Sequence, residues 1–264
     1  MTALNPEVLA GRVVMVSGGT QGVGAAVART AAACGAEGVV VTGRRPEVAE
    51  SLIDELDLLG TQPLFVRADV SDVSQALESV ASAVEEFGRV DCVVNAAGLV
   101  DRGSLLDTTP ELFDRHVAIN LRGPFFIMQA AVKDMLRRDA PGTIVNVITL
   151  TQHAGQPFLA PYAAAKGGLA TLTRNAAHAH RWDRIRINGL NIGWTATEGE
   201  DRIQRSYHGA GDGWLDEAAA RLPAGRLADP AQIADMVVYL LSDASGIVTG
   251  SVIDWDQNVI GALD

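Results

Sequence analysis

"VVMVSGGTQGVGAAVARTAAACGA" occupies residues 13–36. An apolar, β-favouring run enters a glycine cluster, and an alanine-rich helical pattern begins directly after it. Strand, tight turn and helix are expected in that order. The same rhythm continues outward. Short runs rich in Val and Ile stand at 12–17, 38–43, 63–68, 90–98, 143–149, 184–192 and 251–255. Helical patterns lie between most of them, at 23–34, 46–59, 72–87, 111–139, 162–181 and 230–242. The strand candidates are nearly continuous in apolar residues, as strands buried on both faces of a parallel sheet must be. Repeated strand–helix alternation predicts right-handed βαβ units. The expected fold is a doubly wound (Rossmann) α/β domain, with a mostly parallel seven-stranded sheet and helices on both faces.

The chain has 264 residues, 48 % of them hydrophobic, and no composition break or linker, so one domain over 1–264 is expected. A formal charge of −11 argues against a nucleic-acid surface. No apolar stretch reaches the ~18 residues that span a membrane. The first residues, "MTALNPEVLAGR", lack a basic region followed by a long apolar one. These features lead us to expect a cytoplasmic protein. Cys34 and Cys92 read as small buried hydrophobes and not as a disulfide. His178 and His180 are two residues apart and fall on different helix faces, so no metal site is expected. Segment 193–229 breaks the rhythm, with helical pieces between glycines. Lying between two strands, it is expected at their carboxyl ends, where open α/β sheets bind ligands, and reads as a substrate lid.

Gly18, Gly22 and Gly24, with Thr20, Gln21 and Val23 among them, follow the first strand and open the first helix. Glycine is needed where the backbone turns sharply and where a pyrophosphate comes close to it. The free amides of the helix start then favour the phosphates. The second strand ends in Gly43, Arg44 and Arg45. An acidic side chain there would accept from ribose hydroxyls and select NAD. Two guanidinium groups instead suit a 2'-phosphate. NADP(H) is expected over NAD(H), with Arg44, nearer the strand, the better placed of the two.

The chain resembles the short-chain dehydrogenase/reductase family. The pieces that carry the resemblance are "SGGTQGVG" at 17–24, "ADV" at 68–70, "NAAG" at 95–98, Asn120 in "HVAINLRG", "YAAAK" at 162–166 and "RINGLNIG" at 186–193. They stand in the family's order across nearly the whole chain. Tyr162 and Lys166, four apart, share one helix face. A phenol titrates near pH ~10, and an ammonium beside it, with help from a positive nicotinamide ring, favours the phenolate. Tyr162 is therefore expected to exchange a proton with a substrate oxygen while hydride moves to or from a nicotinamide.

The resemblance also implies that Lys166 binds the nicotinamide ribose and that Asn120 bends its helix and holds a relay water. Where the family has a serine, this chain has Thr149, with Thr151 a second hydroxyl nearby. Asp69 and Val70 correspond to the adenine contact. Asn95 corresponds to the residue that stabilises the central strand, with Ala96 and Gly98 close to the cofactor. Gly193, Thr195 and Thr197 correspond to contacts with the nicotinamide amide and phosphates. Ile192 replaces the usual proline before Gly193. Trp255 and Asp256 replace two glycines at the last strand. The family association implies a homotetramer.

Candidates for the substrate end are Thr149, Thr151, Gln152, His153, Tyr162 and Trp194, with Gln156, Glu198 and Asp256 nearby. This polar lining suits a hydroxylated, sugar-like or polyol-like substrate. The expected activity is interconversion of a secondary alcohol and a ketone, with a 3-oxoacyl or other ketone reductase as the alternative. A non-catalytic dinucleotide sensor on the same fold is the alternative of another class. Such a sensor needs the glycine turn but not the Tyr–Lys pair.

Overall fold

The computed structural model describes residues 2, 4–153, 155–257 and 259–260. Its seven strands are β1 (Val13–Ser17), β2 (Gly38–Gly43), β3 (Gln62–Arg67), β4 (Cys92–Asn95), β5 (Gly142–Thr149), β6 (Ile185–Ile192) and β7 (Val252–Trp255). They form one sheet in the order β3-β2-β1-β4-β5-β6-β7, and every pairing is parallel. The helices are α1 (Gly22–Ala33), α2 (Pro46–Leu58), α3 (Val73–Phe87), α4 (Pro110–Val117), α5 (Gly123–Arg137), α6 (Ala160–His180), α7 (Glu198–His208), α8 (Trp214–Ala219) and α9 (Pro230–Leu241).

Strand alternation sorts the core into two layers. Val14 and Val16 of β1 face α1, α2 and α9, where Val27, Leu52, Leu56, Ile233 and Val237 are buried. Val13 and Met15 face the opposite layer, with Val80 of α3, Ile127 and Met135 of α5 and Leu169 of α6. Every residue of β1, β4 and β5 is buried. The uninterrupted apolar sequence of these strands follows from that two-sided burial. The chain order reverses between β1 and β4. The crevice outside the carboxyl ends at such a switch point is where α/β sheets bind ligands.

The helical pattern read over 111–139 is not one regular α-helix. Residues Ala118–Arg122 form a π-helical turn between α4 and α5. Two local features account for it. Pro124 has no backbone N–H to continue the α-register. Gly123 lies so close to Val70 that a Cβ would stand 2.4 Å from Val70 Cγ2 and 2.5 Å from its carbonyl oxygen. Such bulges concentrate at functional sites, and Asn120 stands in this one. The strand read over 90–98 also stops early, at Asn95. Its "AAG" continuation turns along the cavity instead.

Segment 193–229 folds back on itself. Ala196 N donates to Ala228 O (3.0 Å) and Ala228 N to Trp194 O (2.8 Å), which closes the base of the excursion. Beyond the base lie α7 and α8, with a small apolar cluster of their own. Trp214, Ala218 and Leu227 are buried in it, and Trp194, Ala196 and Leu222 pack against them. No helix among the described residues is long and apolar enough to cross a membrane. Cys34 and Cys92 are both free and buried.

Candidate active site

A cavity of about 1360 Å³ runs along the carboxyl ends of the strands and under α7. At one end it is built mostly from backbone. Gly18 has φ +73°, and a Cβ there would stand 2.6 Å from the backbone of Ala97. At Gly24 a Cβ would stand 2.1 Å from the carbonyl oxygen of Gly18. The turn therefore exists in this form only with glycine at both positions. Gln21 occupies the N-cap of α1 without a side-chain capping bond, and the first turn holds no acidic residue. The first-turn amides and the positive end of the helix are thus left available to an anion. Gly22 opens onto the cavity, with its nearest atom from an imagined Cβ, Thr197 Cγ2, at 3.6 Å. A close-approach glycine cradle at an uncapped helix start fits the pyrophosphate of a dinucleotide.

Thr20, Gln21, Val23, Arg44, Arg45, Asp69, Val70, Ala96 and Gly98 line the same cavity, as do Gly193, Thr195 and Thr197 on the far side. Arg44 is exposed at the end of β2. Arg45 donates from Nη2 to Gln21 Oε1 at 3.0 Å. Asp69 Oδ1 accepts from the Ser71 amide (2.9 Å) and hydroxyl (2.7 Å), which fixes that carboxylate at the cavity edge. Asn95 does not line the cavity. Its Nδ2 donates to Asn146 Oδ1 (2.8 Å), and Asn146 Nδ2 donates to Thr173 Oγ1 (2.9 Å), tying β4, β5 and α6 together. Asn95 Oδ1 has no partner among the described residues.

The other end carries Tyr162, Lys166 and Thr149. Thr149 closes β5 and is 9 % exposed. Its Oγ1 accepts from the Thr151 amide (3.3 Å) and hydroxyl (3.2 Å), so its own proton is free to point elsewhere. Tyr162 and Lys166 share one face of α6, which begins at Ala160 with Pro161 in its first turn. Lys166 is 3 % exposed, and its Nζ donates to Val147 O at 2.8 Å. Two Nζ protons then remain, in a side chain that lines the cavity.

The electrostatics of the pair are set first by burial. Burial pushes the Tyr162 phenol up to about 12, against the opposing influences of Thr149 and Arg102. Burial brings the Lys166 ammonium down to about 8. Lys166 is turned to the Val147 carbonyl, so burial dominates, and the expected lowering calls for the nicotinamide charge as well. At neutral pH Tyr162 holds its proton. It is poised to donate that proton to a carbonyl oxygen, and removing it requires further positive charge in the site.

Asn120 is fully buried in the π turn and binds the backbone of Leu99 twice. Oδ1 accepts from Leu99 N and Nδ2 donates to Leu99 O, both at 3.0 Å. Asn120 does not line the cavity and acts on it through Leu99, which does. Sequence reading missed His116, one turn earlier. It is fully buried, its Nδ1 accepts from Asn120 Nδ2 (3.2 Å) and its Nε2 lies 3.1 Å from Asp101 O. These partners assign a neutral ring protonated at Nε2, and burial lowers its pKa in the same sense. The ring stands edge-on to Tyr162 with centroids 6.1 Å apart. The signal available was an i, i+4 His–Asn pair on one helix face.

At the substrate end Thr151, Gln156, Trp194, Glu198 and Asp256 line the cavity. Gln152 and His153 do not, and this corrects the sequence expectation. A short 3₁₀ turn, Leu150–His153, swings His153 to the sheet edge, where its Nε2 lies 3.0 Å from Asp254 Oδ1 and 3.2 Å from Asn191 Nδ2. Sequence reading also missed Arg102, Phe158, Glu200 and Gln204, all of which line the cavity. Trp194 Nε1 (2.8 Å) and Gln204 Nε2 (2.7 Å) both donate to Glu200 Oε1. Gly193 lies against Asp256, whose Cβ would be 2.9 Å from an added Cβ. The Trp255–Asp256 departure thus forms the wall behind Gly193.

Residues 18–257 match the family model described as enoyl-(acyl carrier protein) reductase. The L-rhamnose 1-dehydrogenase (NAD(P)(+)) of Sphingomonas sp. (strain SKA58) is 32% identical over 252 residues, covering 94% of this chain and 95% of its own. A short-chain type dehydrogenase/reductase from Mycobacterium marinum superposes with TM-score 0.87 at 28% identity, covering 94% of this chain and 95% of that one. A substituted actinorhodin polyketide ketoreductase with NADPH superposes with TM-score 0.87 at 30% identity, covering 92% and 95%. Full-length similarity, the parallel order 3-2-1-4-5-6-7 and the Tyr162–Lys166 pair at the strand ends together make this chain a member of the short-chain dehydrogenase/reductase family.

Proposed function

We propose that this protein is an NADP(H)-favouring oxidoreductase that interconverts a secondary alcohol and a ketone on a polar, sugar-like or polyol-like substrate. The observation that carries this reading is the joint lining of one cavity by an uncapped glycine turn and by Tyr162, Lys166 and Thr149. When bound there, a nicotinamide dinucleotide supplies hydride transfer. The glycine turn, Thr195 and Thr197 would hold its phosphates and amide, and Asp69 and Val70 its adenine. Lys166 would hold the nicotinamide ribose through its two remaining protons. Arg44 and Arg45 favour a 2'-phosphate through charge-assisted hydrogen bonds.

Tyr162 exchanges the proton with the substrate oxygen, and Thr149 donates a hydrogen bond to that same oxygen. In the reductive direction the protonated phenol suits this role without further change. Asn120 and His116 act on the reaction by holding the 99–101 backbone beside Tyr162. Segment 193–229 serves as the lid, with Trp194 and Glu200 on its inner face. Sugar substrates are named for one similar protein, and NADPH is bound by a structural neighbour. Exposed Phe113 and Phe125 on α4 and α5 fit burial in a homotetramer.

The test is to incubate the protein with NADP+ and a panel of sugars, polyols and sugar acids, and with NADPH and the matching ketones. Reduced cofactor and ketone forming in equal amounts supports the reading. A product with no net redox change, or tight cofactor binding with no turnover on any panel member, overturns it in favour of an isomerising enzyme or a sensor.

A further inference from the structure

Residues 99–103 leave β4 and are fastened to the chain that leads into α6. Gly103 N donates to Phe158 O (2.9 Å), and Ala160 N donates to Gly103 O (3.0 Å). Arg102 is thereby held beside the start of α6, the helix that carries Tyr162. Its Nη1 donates to Val100 O (2.9 Å), its Nε donates to His208 Nε2 of α7 (3.2 Å), and its guanidinium lies 5.4 Å from the centre of the Phe158 ring. It is half-buried, lines the cavity beside Tyr162, and its charge favours the ionised form of that phenol.

Among the described residues Arg102 has no carboxylate partner in an ion pair. The acidic groups around it are engaged elsewhere. Asp101 pairs with Arg115 (3.6 Å), and Glu200 Oε1 accepts from Trp194 and Gln204. Burial costs this guanidinium part of its hydration, and the charges of Glu200 and Asp101 offset that only from beyond ion-pair distance, so a ligand anion that reaches it directly is favoured. A guanidinium stacked on an aromatic ring, with its Nη2 edge uncommitted, suits a planar carboxylate.

We propose that Arg102 is a specificity-determining residue that receives a carboxylate of the substrate, so that the preferred substrate is a hydroxylated carboxylic acid and not a neutral polyol. This rests on the oxidoreductase reading for its meaning but not for its test. Glu200, held at one oxygen, offers the other to a substrate hydroxyl. The anion on Arg102 and the proton exchange at Tyr162 then define two fixed points for a short polyhydroxy acid.

The experiment uses matched pairs that differ only in the acid group: D-gluconate against D-sorbitol, and D-glycerate against glycerol. Binding is read from tryptophan fluorescence, since Trp194 contacts Glu200, in the presence of saturating oxidised cofactor. An acid–guanidinium bond predicts that the acid of at least one pair binds roughly tenfold or more tighter than its neutral partner. In Arg102→Gln the ratio falls to about one, and Arg102→Lys, which keeps the charge without the fork, retains part of it. Equal binding within both pairs, an acid preference that survives Arg102→Gln, or no saturable binding by either acid overturns the proposal. The wild-type ratio and the lysine variant decide the matter even if Arg102→Gln melts early. Acids that bind through Arg102 without forming reduced cofactor would leave this inference standing and count against the oxidoreductase reading.

Discussion

The two ends of the cavity are made in different ways. The cofactor end is backbone: glycines at 18, 22 and 24, an uncapped helix start and a strand end, nearly all within one βαβ unit. The substrate end is side chains from segments far apart in sequence: Arg102 from the 99–103 loop, Thr149 from β5, Phe158 before α6, Tyr162 in α6, and Trp194, Glu200 and Gln204 from the 193–229 excursion. Backbone sites tolerate almost no added atoms, whereas side-chain sites can exchange groups without moving the sheet. One end is therefore tuned for one ligand class, and the other can be altered to change specificity.

That contrast can be broken by substitution. The largest effect is expected at Gly18→Ala, where left-handed strain of ~1–2 kcal/mol adds to a clash with the Ala97 backbone. Dinucleotide affinity, followed by tryptophan quenching, should fall by more than about 100-fold, equivalent to more than ~2.8 kcal/mol. Unchanged affinity would mean that the turn is not the phosphate cradle. Arg44→Ala should act next most strongly. Losing a hydrogen bond to a charged phosphate costs ~1.5–3 kcal/mol, so NADPH affinity should drop ~10–100-fold while NADH affinity holds. Equal losses for both cofactors would remove the 2'-phosphate role.

Lys166 gives a pH signature. Its folded pKa lies at about 8, below the ordinary 10.5, so the unfolded chain binds more protons between those values. Stability from this group should therefore rise with pH across that window, by up to ~3 kcal/mol. Lys166→Met should flatten the slope in denaturant melts. An unchanged slope would show that the ammonium is better solvated than its burial implies. Tyr162 has the opposite sign, since its pKa is raised from 10.0 to about 12, and stability should fall as pH climbs through that interval. The smallest effect is expected at Trp214→Phe, in the apolar cluster of the excursion. It should destabilise the whole protein by less than ~1.5 kcal/mol and raise KM with little change in kcat.

Legibility in the sequence follows the same division. The sheet, its parallel direction and the glycine turn were readable because two-sided burial and tight turns leave local signatures in "VVMVSGGTQGVG". Tyr162 and Lys166 were readable as an i, i+4 pair. The π turn was legible only in part: Pro124 stands in the sequence, but the close approach of Gly123 to Val70, 53 positions apart, leaves no local pattern. Gln152 and His153 were misplaced for a related reason. Their neighbours in sequence, Thr149 and Thr151, face the cavity, but the 3₁₀ turn rotates His153 toward Asp254 and Asn191. Arg102 carried no motif at all. It matters because Gly103 is bridged to Leu159, which only the folded chain reveals. Spacing gives the proximity of Tyr162 and Lys166 along a helix but not the degree of desolvation, which raises the phenol here.

The most direct test of the account is Tyr162→Phe, measured for cofactor affinity and for turnover in the same preparation. Removal of a general acid/base predicts a fall in kcat of ~10²–10⁴, with dinucleotide affinity changed less than about threefold. A variant that turns over at the wild-type rate would contradict the assignment of Tyr162 as the proton-exchanging group.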